Sequence, residues 1–150
     1  MLKQICDVLT ALRQYLHQAH LCAQDKGYSA HLLLNNIYER VSEDIDRLKE
    51  LYIGSTGDTS IANAESSLLG ALKYIRALEV APDFNGMLKN CLVLEKSSDE
   101  LIRQGISFYS ENNGPFAQGI LNALGDTDER RLKEVFLLKT ELAKWAEKKT

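Results

Sequence analysis

The residues best suited to carry chemistry lie in one stretch of this 150-residue chain, around its few histidines. His20 and His31 flank a turn at Gly27, and Asp46 and Glu50 follow in the same stretch. Imidazole nitrogen and carboxylate oxygen together suit iron, zinc or manganese, and a mixed site with open positions suits oxidation of Fe(II). His20, His31, Asp46 and Glu50 are therefore the candidate metal ligands and catalytic residues.

The spacing of these residues indicates how they would meet. Asp46 and Glu50 are four residues apart, so both carboxylates leave a helix from one face and can hold a cation between them. Their direction avoids the apolar stripe of the same helix, so one bundle cannot gather all four groups around its axis. A symmetric dimer can, with His20 and His31 of one chain facing Asp46 and Glu50 of the other. Leu32 shares the outward direction of Glu50, which suits contact with a second subunit.

Apolar residues at helical spacing predict an all-α fold, and no alternating strand pattern or internal repeat is present. Long helices are expected over residues 2–23, 29–53, 83–109 and from 126 onward, with a further helix over 61–79. The connection between the second and third long helices, residues 54–82, is long enough for the chain to cross the bundle. The expected architecture is a ferritin-like four-helix bundle, in a single domain over residues 1–150, with the extra helix in the long crossover between helices two and three.

Residues that commonly start and stop helices set the expected ends of the first three helices. Gly27 suits a left-handed cap after the first helix, Ser29 suits the N-terminal cap of the second, and Gly54 suits its end. Pro82 is expected to end the third helix or to start the next.

The C-terminal part of the chain is predicted to be interrupted. A helical segment after Pro115 should break or bend at Gly125, and Asp126 with Glu129 has the spacing of an N-terminal cap and its reciprocal partner. Leu132 and Phe136 are among the apolar positions of the helix that follows. Its basic end contains Lys144, Lys148 and Lys149.

Two acids are predicted on an apolar face. Glu95 and Asp99 share the buried side of the helix over residues 83–109, and Tyr15, Tyr38 or a lysine is a candidate partner for Glu95. A carboxylate-rich metal site inside one bundle would carry Glu-x-x-His on two helices. No acidic residue precedes a histidine by three positions here, so an interior site of that kind is not expected.

The stretch AHLCAQDKGYSAHLLLNNIYERVSEDIDRLKE resembles the core motif of the Dps-type mini-ferritins (DNA-binding protein from starved cells). In that motif a His near the end of the first helix precedes a glycine turn, and a second His opens the next helix. An acid follows four residues later, and an Asp and a Glu come a few turns on. His20, His31, Asp46 and Glu50 match these positions, except that Asn35 stands where the family usually has the first acid.

Three further features differ from the family pattern. Leu21 replaces the tryptophan that commonly follows the first histidine, and the interval between the two histidines is one residue shorter. The basic N-terminal tail that some members use on DNA is absent, and the net charge is −3, so DNA binding is possible but not favoured.

The resemblance implies a ferroxidase and iron store: a homo-oligomer, by family a hollow dodecamer, that oxidises Fe(II) with hydrogen peroxide or dioxygen. His20 and His31 would be neutral ligands, Asp46 and Glu50 would supply negative charge, and Glu50 would bridge two metals. Asn35 would orient a water or hold a weaker second metal. Iron is the expected metal, with zinc or manganese as alternative occupants of the same site.

Composition excludes some functions and leaves one alternative open. No apolar run is long enough to span a membrane, no signal peptide is expected, and three cysteines without metal-ligand spacing indicate reduced thiols in the cytoplasm. No phosphate loop or nucleophile–base motif is present. The alternative is a degenerate ferritin-like bundle that acts as a structural or protein-interaction module without catalysis.

Overall fold

The computed structural model describes residues 1–112, 114 and 116–147, and these residues form α-helices joined by short connections, with no strand. In chain order the elements are α1 (Leu2–Cys22), α2 (Tyr28–Thr56), a turn of 3-10 helix (Thr59–Ala62), α3 (Ala64–Arg76), α4 (Phe84–Glu111) and α5 (Ala117–Glu147). The predicted all-α fold is confirmed, with a short helix between the second and third long ones. Among the residues named above, Pro115, Lys148 and Lys149 lie outside the described part.

α1, α2, α4 and α5 are the long helices of a bundle in which α1 packs against α2 and α4, and α5 packs against α4 and α2. Gly105, near the end of α4, lies against Ile5 at the start of α1. Asn90, near the start of α4, donates a 2.8 Å hydrogen bond to the hydroxyl of Tyr15. The helices α1 and α4 therefore run antiparallel.

The pair α2 and α5 is also antiparallel. Arg40 of α2 reaches Glu134 of α5 at 3.1 Å, while Arg47 reaches Asp126 at 2.7 Å. A short turn joins α1 to α2, so those two helices run in opposite directions, and α2 and α4 run in the same direction. Between α2 and α4, the 3-10 turn and α3 carry the chain back along the bundle. The helix α3 packs on α1.

The core consists mainly of the apolar stripes predicted from the sequence. Every predicted stripe residue of α1 is buried: Leu2, Ile5, Val8, Leu9, Leu12, Leu16 and Ala19. The same holds for the aliphatic stripe of α2: Leu34, Ile37, Val41, Ile45 and Leu48. None of the described helices combines the length and apolar character that a membrane span needs.

The turn between α1 and α2 differs from the prediction at Gly27 and Ser29. Gly27 has φ 99°, but it immediately precedes α2 instead of capping α1, and no described side chain caps the start of α2. Ser29 therefore lies inside the helix. At the other end, α2 continues through Gly54 to Thr56 and closes at Gly57, whose φ of 70° is the left-handed conformation that glycine adopts without strain.

The predicted break at Gly125 is wrong, because α5 is continuous from Ala117 to Glu147. A glycine inside a helix costs only about 1 kcal/mol relative to alanine, and the buried residues on both sides of it outweigh that cost. Asp126 is consequently no N-terminal cap, and its carboxylate pairs with Arg47 instead. Leu132 and Phe136, predicted on the apolar face, are exposed.

The short helix α3 packs through small residues. Its buried positions are Ser67, Gly70 and Ala71, while Leu68 and Leu69 point to solvent. A Cβ at Gly70 would collide with the carboxylate of Asp7, so this glycine allows α3 to approach α1 closely. Asn63 caps the helix by accepting a 2.8 Å hydrogen bond from the backbone of Ser66.

Candidate functional site

His20 and His31 meet at the corner between α1 and α2. His20 lies in the last turn of α1 and His31 in the first turn of α2, and their ring centroids are 4.0 Å apart with the planes tilted by 32°. The turn at Gly27 reverses the chain between them. Two of the predicted ligands are therefore adjacent in one protomer, each partly exposed.

One hydrogen bond sets the tautomer of His20. Nδ1 of His20 lies 3.2 Å from the backbone carbonyl oxygen of His31. A carbonyl oxygen only accepts hydrogen bonds, so Nδ1 carries the hydrogen and Nε2 of the neutral ring keeps its lone pair. Donation from one ring nitrogen to a backbone carbonyl is the arrangement that orients a metal-binding histidine. Nδ1 of His31 is buried and has no hydrogen-bond partner among the described residues.

His17 belongs to the same corner, although it was not among the predicted ligands. Its ring is stacked 6.4 Å from that of His20 and lies 5.3 Å from the ring of Tyr38. The available signal was the three-residue interval from His17 to His20, which places two side chains on neighbouring positions of one helix face. His20 therefore has one imidazole on its own helix and one on α2 near its ring.

The two carboxylates lie on the same helix as His31 but far from it. Asp46 and Glu50 are exposed on α2, and neither makes a hydrogen bond or ion pair with a described residue. At 1.5 Å per residue, the rise from His31 to Asp46 is about 22 Å. The four predicted ligands thus do not come together within one chain. Among the described residues, no group of three or more His, Cys, Asp or Glu side chains is placed to hold a metal ion.

These groups nevertheless share one side of α2. At about 100° per residue, His31, Asn35, Asp46 and Glu50 fall within an arc of about 100°. Two exposed apolar side chains of α2 lie at the histidine end of this surface: Tyr28 and Leu32. We call this side of α2 the histidine–acid face. It presents imidazole at one end, carboxylate at the other, and apolar surface beside the imidazoles.

No protein-family model, curated protein or solved structure matches this chain. The resemblance of residues 19–50 to the mini-ferritin motif therefore stays a prediction. It depends on the residue types and their spacing in the sequence alone.

Asn35 is not directed toward the histidines. Its side-chain amide donates a 2.9 Å hydrogen bond to the carboxylate of Glu39, one turn further along α2. This bond occupies the amide nitrogen, while the amide oxygen makes no hydrogen bond with a described residue and is open to a water or a cation. Asn35 thus remains a candidate for the weaker position in the predicted site.

Glu50 also lines the edge of a groove between α2 and the start of α5. The groove has a volume of about 680 Å³, and its walls include Arg47, Leu51 and Phe116. Arg47 is paired with Asp126, whereas the carboxylate of Glu50 has no ion-pair partner among the described residues. A small cation in solvent therefore has open access to it.

A second charged cluster, which the sequence did not reveal, lies inside the bundle. The guanidinium of Arg131 is completely buried and contacts Asp44 of α2 at 3.2 Å, Glu95 of α4 at 3.3 Å and Glu134 of its own helix at 2.6 Å. The partners predicted for Glu95, a tyrosine or a lysine, were wrong, because Glu95 pairs with Arg131. The hydroxyl of Tyr15 accepts a hydrogen bond from Asn90 instead. The guanidinium of Arg131 is therefore the cation that these three carboxylates surround.

The arginines around this cluster are distributed unevenly. Arg130 makes a close ion pair with Asp44, and Arg40 pairs with Glu134, so each of these acids has an arginine in addition to Arg131. Among the residues that the structure describes, the only cationic partner of Glu95 is Arg131, which it shares with Asp44 and Glu134. Burial raises the pKa of Glu95 well above its usual range, and the opposing effect of Arg131 does not cancel this. The signal in the sequence was an acid on an apolar stripe, which requires a buried partner.

Proposed function

We propose that this chain is a mini-ferritin of the Dps type, which oxidises Fe(II) and stores the ferric product at sites formed between two copies of the chain. The proposal depends on one observation above all others. His20 and His31 are adjacent, and the hydrogen bond to the His31 carbonyl leaves Nε2 of His20 free to bind a metal. Two neighbouring imidazoles at an exposed corner are half of a site that suits iron.

The other half would come from the partner chain. If two histidine–acid faces pack antiparallel about a twofold axis, the His31 end of one α2 lies beside the Glu50 end of the other. Asp46 and Glu50 have no ion-pair partner among the described residues of their own chain, so they remain available for such a site. Exposed Tyr28 and Leu32 supply apolar area that an interface would cover.

The direction of the helices supports the same proposal. Two antiparallel hairpins joined by one long crossover form the arrangement of ferritin-like bundles. Some of those bundles hold metal in their interior, but here Arg131 fills the space among the interior carboxylates. We therefore place the proposed iron chemistry on the surface of α2 and not in the core.

Iron is the substrate of the proposed reaction. Two Fe(II) ions each give one electron to hydrogen peroxide, which takes up two protons and leaves as two water molecules. The neutral imidazoles of His20 and His31 bind the metal, while Asp46 and Glu50 supply the negative charge that favours Fe(III) over Fe(II). Zinc or manganese would compete for the same ligands. The active form is a homo-oligomer, by family resemblance a dodecamer, and no contact with DNA is proposed.

A complementation experiment tests both the ligands and the subunit arrangement. His31→Ala and Glu50→Gln should each abolish the ferric absorbance that develops when peroxide is added to Fe(II) and protein without oxygen. A dimer with one chain of each variant keeps one intact site out of two. After unfolding and refolding an equal mixture, half of the dimers are mixed, so about a quarter of the wild-type activity should return.

Two matched controls accompany this experiment. His17→Ala removes a neighbouring imidazole, and Glu43→Gln removes an exposed α2 carboxylate outside the ligand set; both should keep wild-type oxidation. Activity in the His31→Ala or Glu50→Gln variant alone would contradict the assignment of ligands. Inactive single variants whose mixture also stays inactive would contradict the location between subunits.

A non-catalytic bundle remains the second candidate, and the bond from Asn35 to Glu39 favours it. Asn35 is neutral and is bonded within its own helix, so the site has fewer ligands than a complete di-iron site requires. Under this alternative the chain takes up no iron and serves as a structural or protein-interaction module. A particle of monomer mass, 16.9 kDa, that gives no ferric absorbance would support it.

A further inference from the structure

Three large apolar side chains lie on the solvent side of α5, on two successive turns. Leu132, Phe136 and Leu137 are exposed by 47%, 68% and 36%. Leu132 and Phe136 form one row at four-residue spacing, and Lys133 and Leu137 form the next. These four residues line an open groove of about 510 Å³. Single exposed apolar residues are common on proteins, whereas a continuous group of this kind indicates a contact surface.

The groove is apolar although a lysine lines it. Nζ of Lys133 lies 2.7 Å from a carboxylate oxygen of Glu129, one turn earlier on α5. The ammonium is therefore held toward Glu129, and the methylene stem is the part of this lysine that covers apolar surface. A groove between two rows of side chains receives a row of side chains from another helix. The surface thus fits the apolar side of a helix.

The charges on either side of the groove have opposite sign. Glu129 is seven residues before Phe136 and Lys144 is eight residues after it, which is about 10 Å and 12 Å along the axis. Each charge has a partner on its own helix, Lys133 or Glu141, but more than half of each side chain is exposed. A second α5 that runs antiparallel about a twofold axis at Phe136 brings Glu129 of each chain beside Lys144 of the other. A parallel copy would instead face like charges.

This side of α5 is separate from the histidine–acid face. Arg40 and Arg47 of α2 pair with acids of α5, so α5 lies on their side of α2. His31 is nine residues before Arg40, and at about 100° per residue the two lie on opposite sides of α2. One chain can therefore use both surfaces at the same time.

We infer that the outer side of α5 is a second self-association surface, on which the groove formed by Leu132, Phe136 and Leu137 packs against the same groove of an antiparallel copy. The inference rests on the proposed function in one respect, since the histidine–acid faces supply the first contact between chains. The α5 contact then joins such dimers into a larger particle.

The size of the surface explains why the α5 contact comes second. A stable interface buries about 800 Å² on each partner, and three partly exposed side chains do not reach that area by themselves. Chains that are already joined through another surface meet at a high effective concentration, so a small contact then suffices. A chain that cannot form the histidine–acid dimer is therefore not held together by α5 alone.

Light scattering of Leu132→Glu and Phe136→Glu tests the surface. An unpaired carboxylate is strongly unfavourable in a closed interface, so both variants should stop at twice 16.9 kDa while the wild type is larger. Leu68→Glu on α3 is the control, because Leu68 is exposed by 53%, and it should keep the wild-type mass. The inference is overturned if the wild type is no larger than a dimer, or if both α5 variants keep its mass.

Charge reversal tests the identity and direction of the partner. Glu129→Lys and Lys144→Glu should each raise the fraction of protein at the dimer mass, because like charges then face each other across the contact. The double variant restores opposite charges, so that fraction should return to near the wild-type level. A double variant that assembles no better than the single variants would show that something other than an antiparallel copy covers the groove, and this also overturns the inference.

Iron oxidation separates this inference from the proposed function. Phe136→Glu should give the wild-type ferric absorbance, since its histidine–acid dimers are intact. If the wild type does not oxidise Fe(II) but the masses change as expected, the proposed function fails and the α5 contact stands. If oxidation is present and the α5 variants keep the wild-type mass, the α5 contact alone is overturned.

Discussion

Nη1 of Arg131 on α5 lies 3.3 Å from Oε1 of Glu95 on α4, and both side chains are fully removed from solvent. A buried ion pair contributes little net stability compared with an apolar pair, but removing one partner leaves the other uncompensated. Since Asp44 and Glu134 contact the same guanidinium, Arg131 compensates three acids at once.

Arg131→Met should therefore destabilise the bundle by about 3–5 kcal/mol at pH 7. The loss should be smaller at pH 4, because the acids left without Arg131 take up protons there and the desolvation cost of their charged forms disappears. Urea unfolding at the two pH values measures both effects. Arg103→Met, at a partly exposed guanidinium, is the control and should cost no more than about 1 kcal/mol. Equal losses for the two variants would contradict the central role of Arg131.

Two glycines should respond to alanine in opposite directions. Gly70→Ala places a Cβ against the carboxylate of Asp7 and forces α3 away from α1, with an expected cost of about 1–3 kcal/mol. Gly125→Ala meets open space inside the continuous helix α5, and should stabilise the protein by about 0.5–1 kcal/mol. Thermal unfolding of both variants measures the difference. Destabilisation by Gly125→Ala would show that α5 bends at this glycine in solution.

The apolar stripes could be read from the sequence because their period is a property of the helix itself. Every aliphatic residue predicted for the stripes of α1 and α2 is buried. The helix ends were less predictable. Gly27, Gly54, Gly57 and Gly125 have the same local signal, and only the packing around each decides whether the helix stops there.

The candidate site was predictable in part for a similar reason. The pairing of His20 with His31 depends on one short turn, which the sequence places between them. The cluster around Arg131 joins three helices, and its members are up to 87 positions apart. No local spacing relates Asp44 to Arg131, so the sequence indicated only that Glu95 needs a partner and not which residue it is.

The three cysteines should differ sharply in reactivity. Cys22 is exposed at the end of α1, whereas Cys6 and Cys91 are buried. Burial raises the pKa of Cys6 to about 12 and raises that of Cys91 as well, so neither forms the reactive thiolate near neutral pH. A thiol reagent at pH 7.5 should modify one group per native chain and three after unfolding. Cys22→Ser should remove the fast reaction, and persistence of that reaction would place a core thiol in solvent.

A charge on the histidine–acid face should prevent assembly if this face is the proposed interface. Leu32 on α2 and Leu69 on α3 are both exposed leucines, so Leu32→Glu and Leu69→Glu form a matched pair. A buried, unpaired carboxylate costs several kcal/mol at an interface and almost nothing on a free surface. Light scattering should therefore give a multiple of 16.9 kDa for the wild type and for Leu69→Glu, and the monomer mass for Leu32→Glu. An assembly that survives Leu32→Glu but dissociates with Leu69→Glu would move the interface to α3, and Asp46 and Glu50 would then have no route to the histidines of a partner.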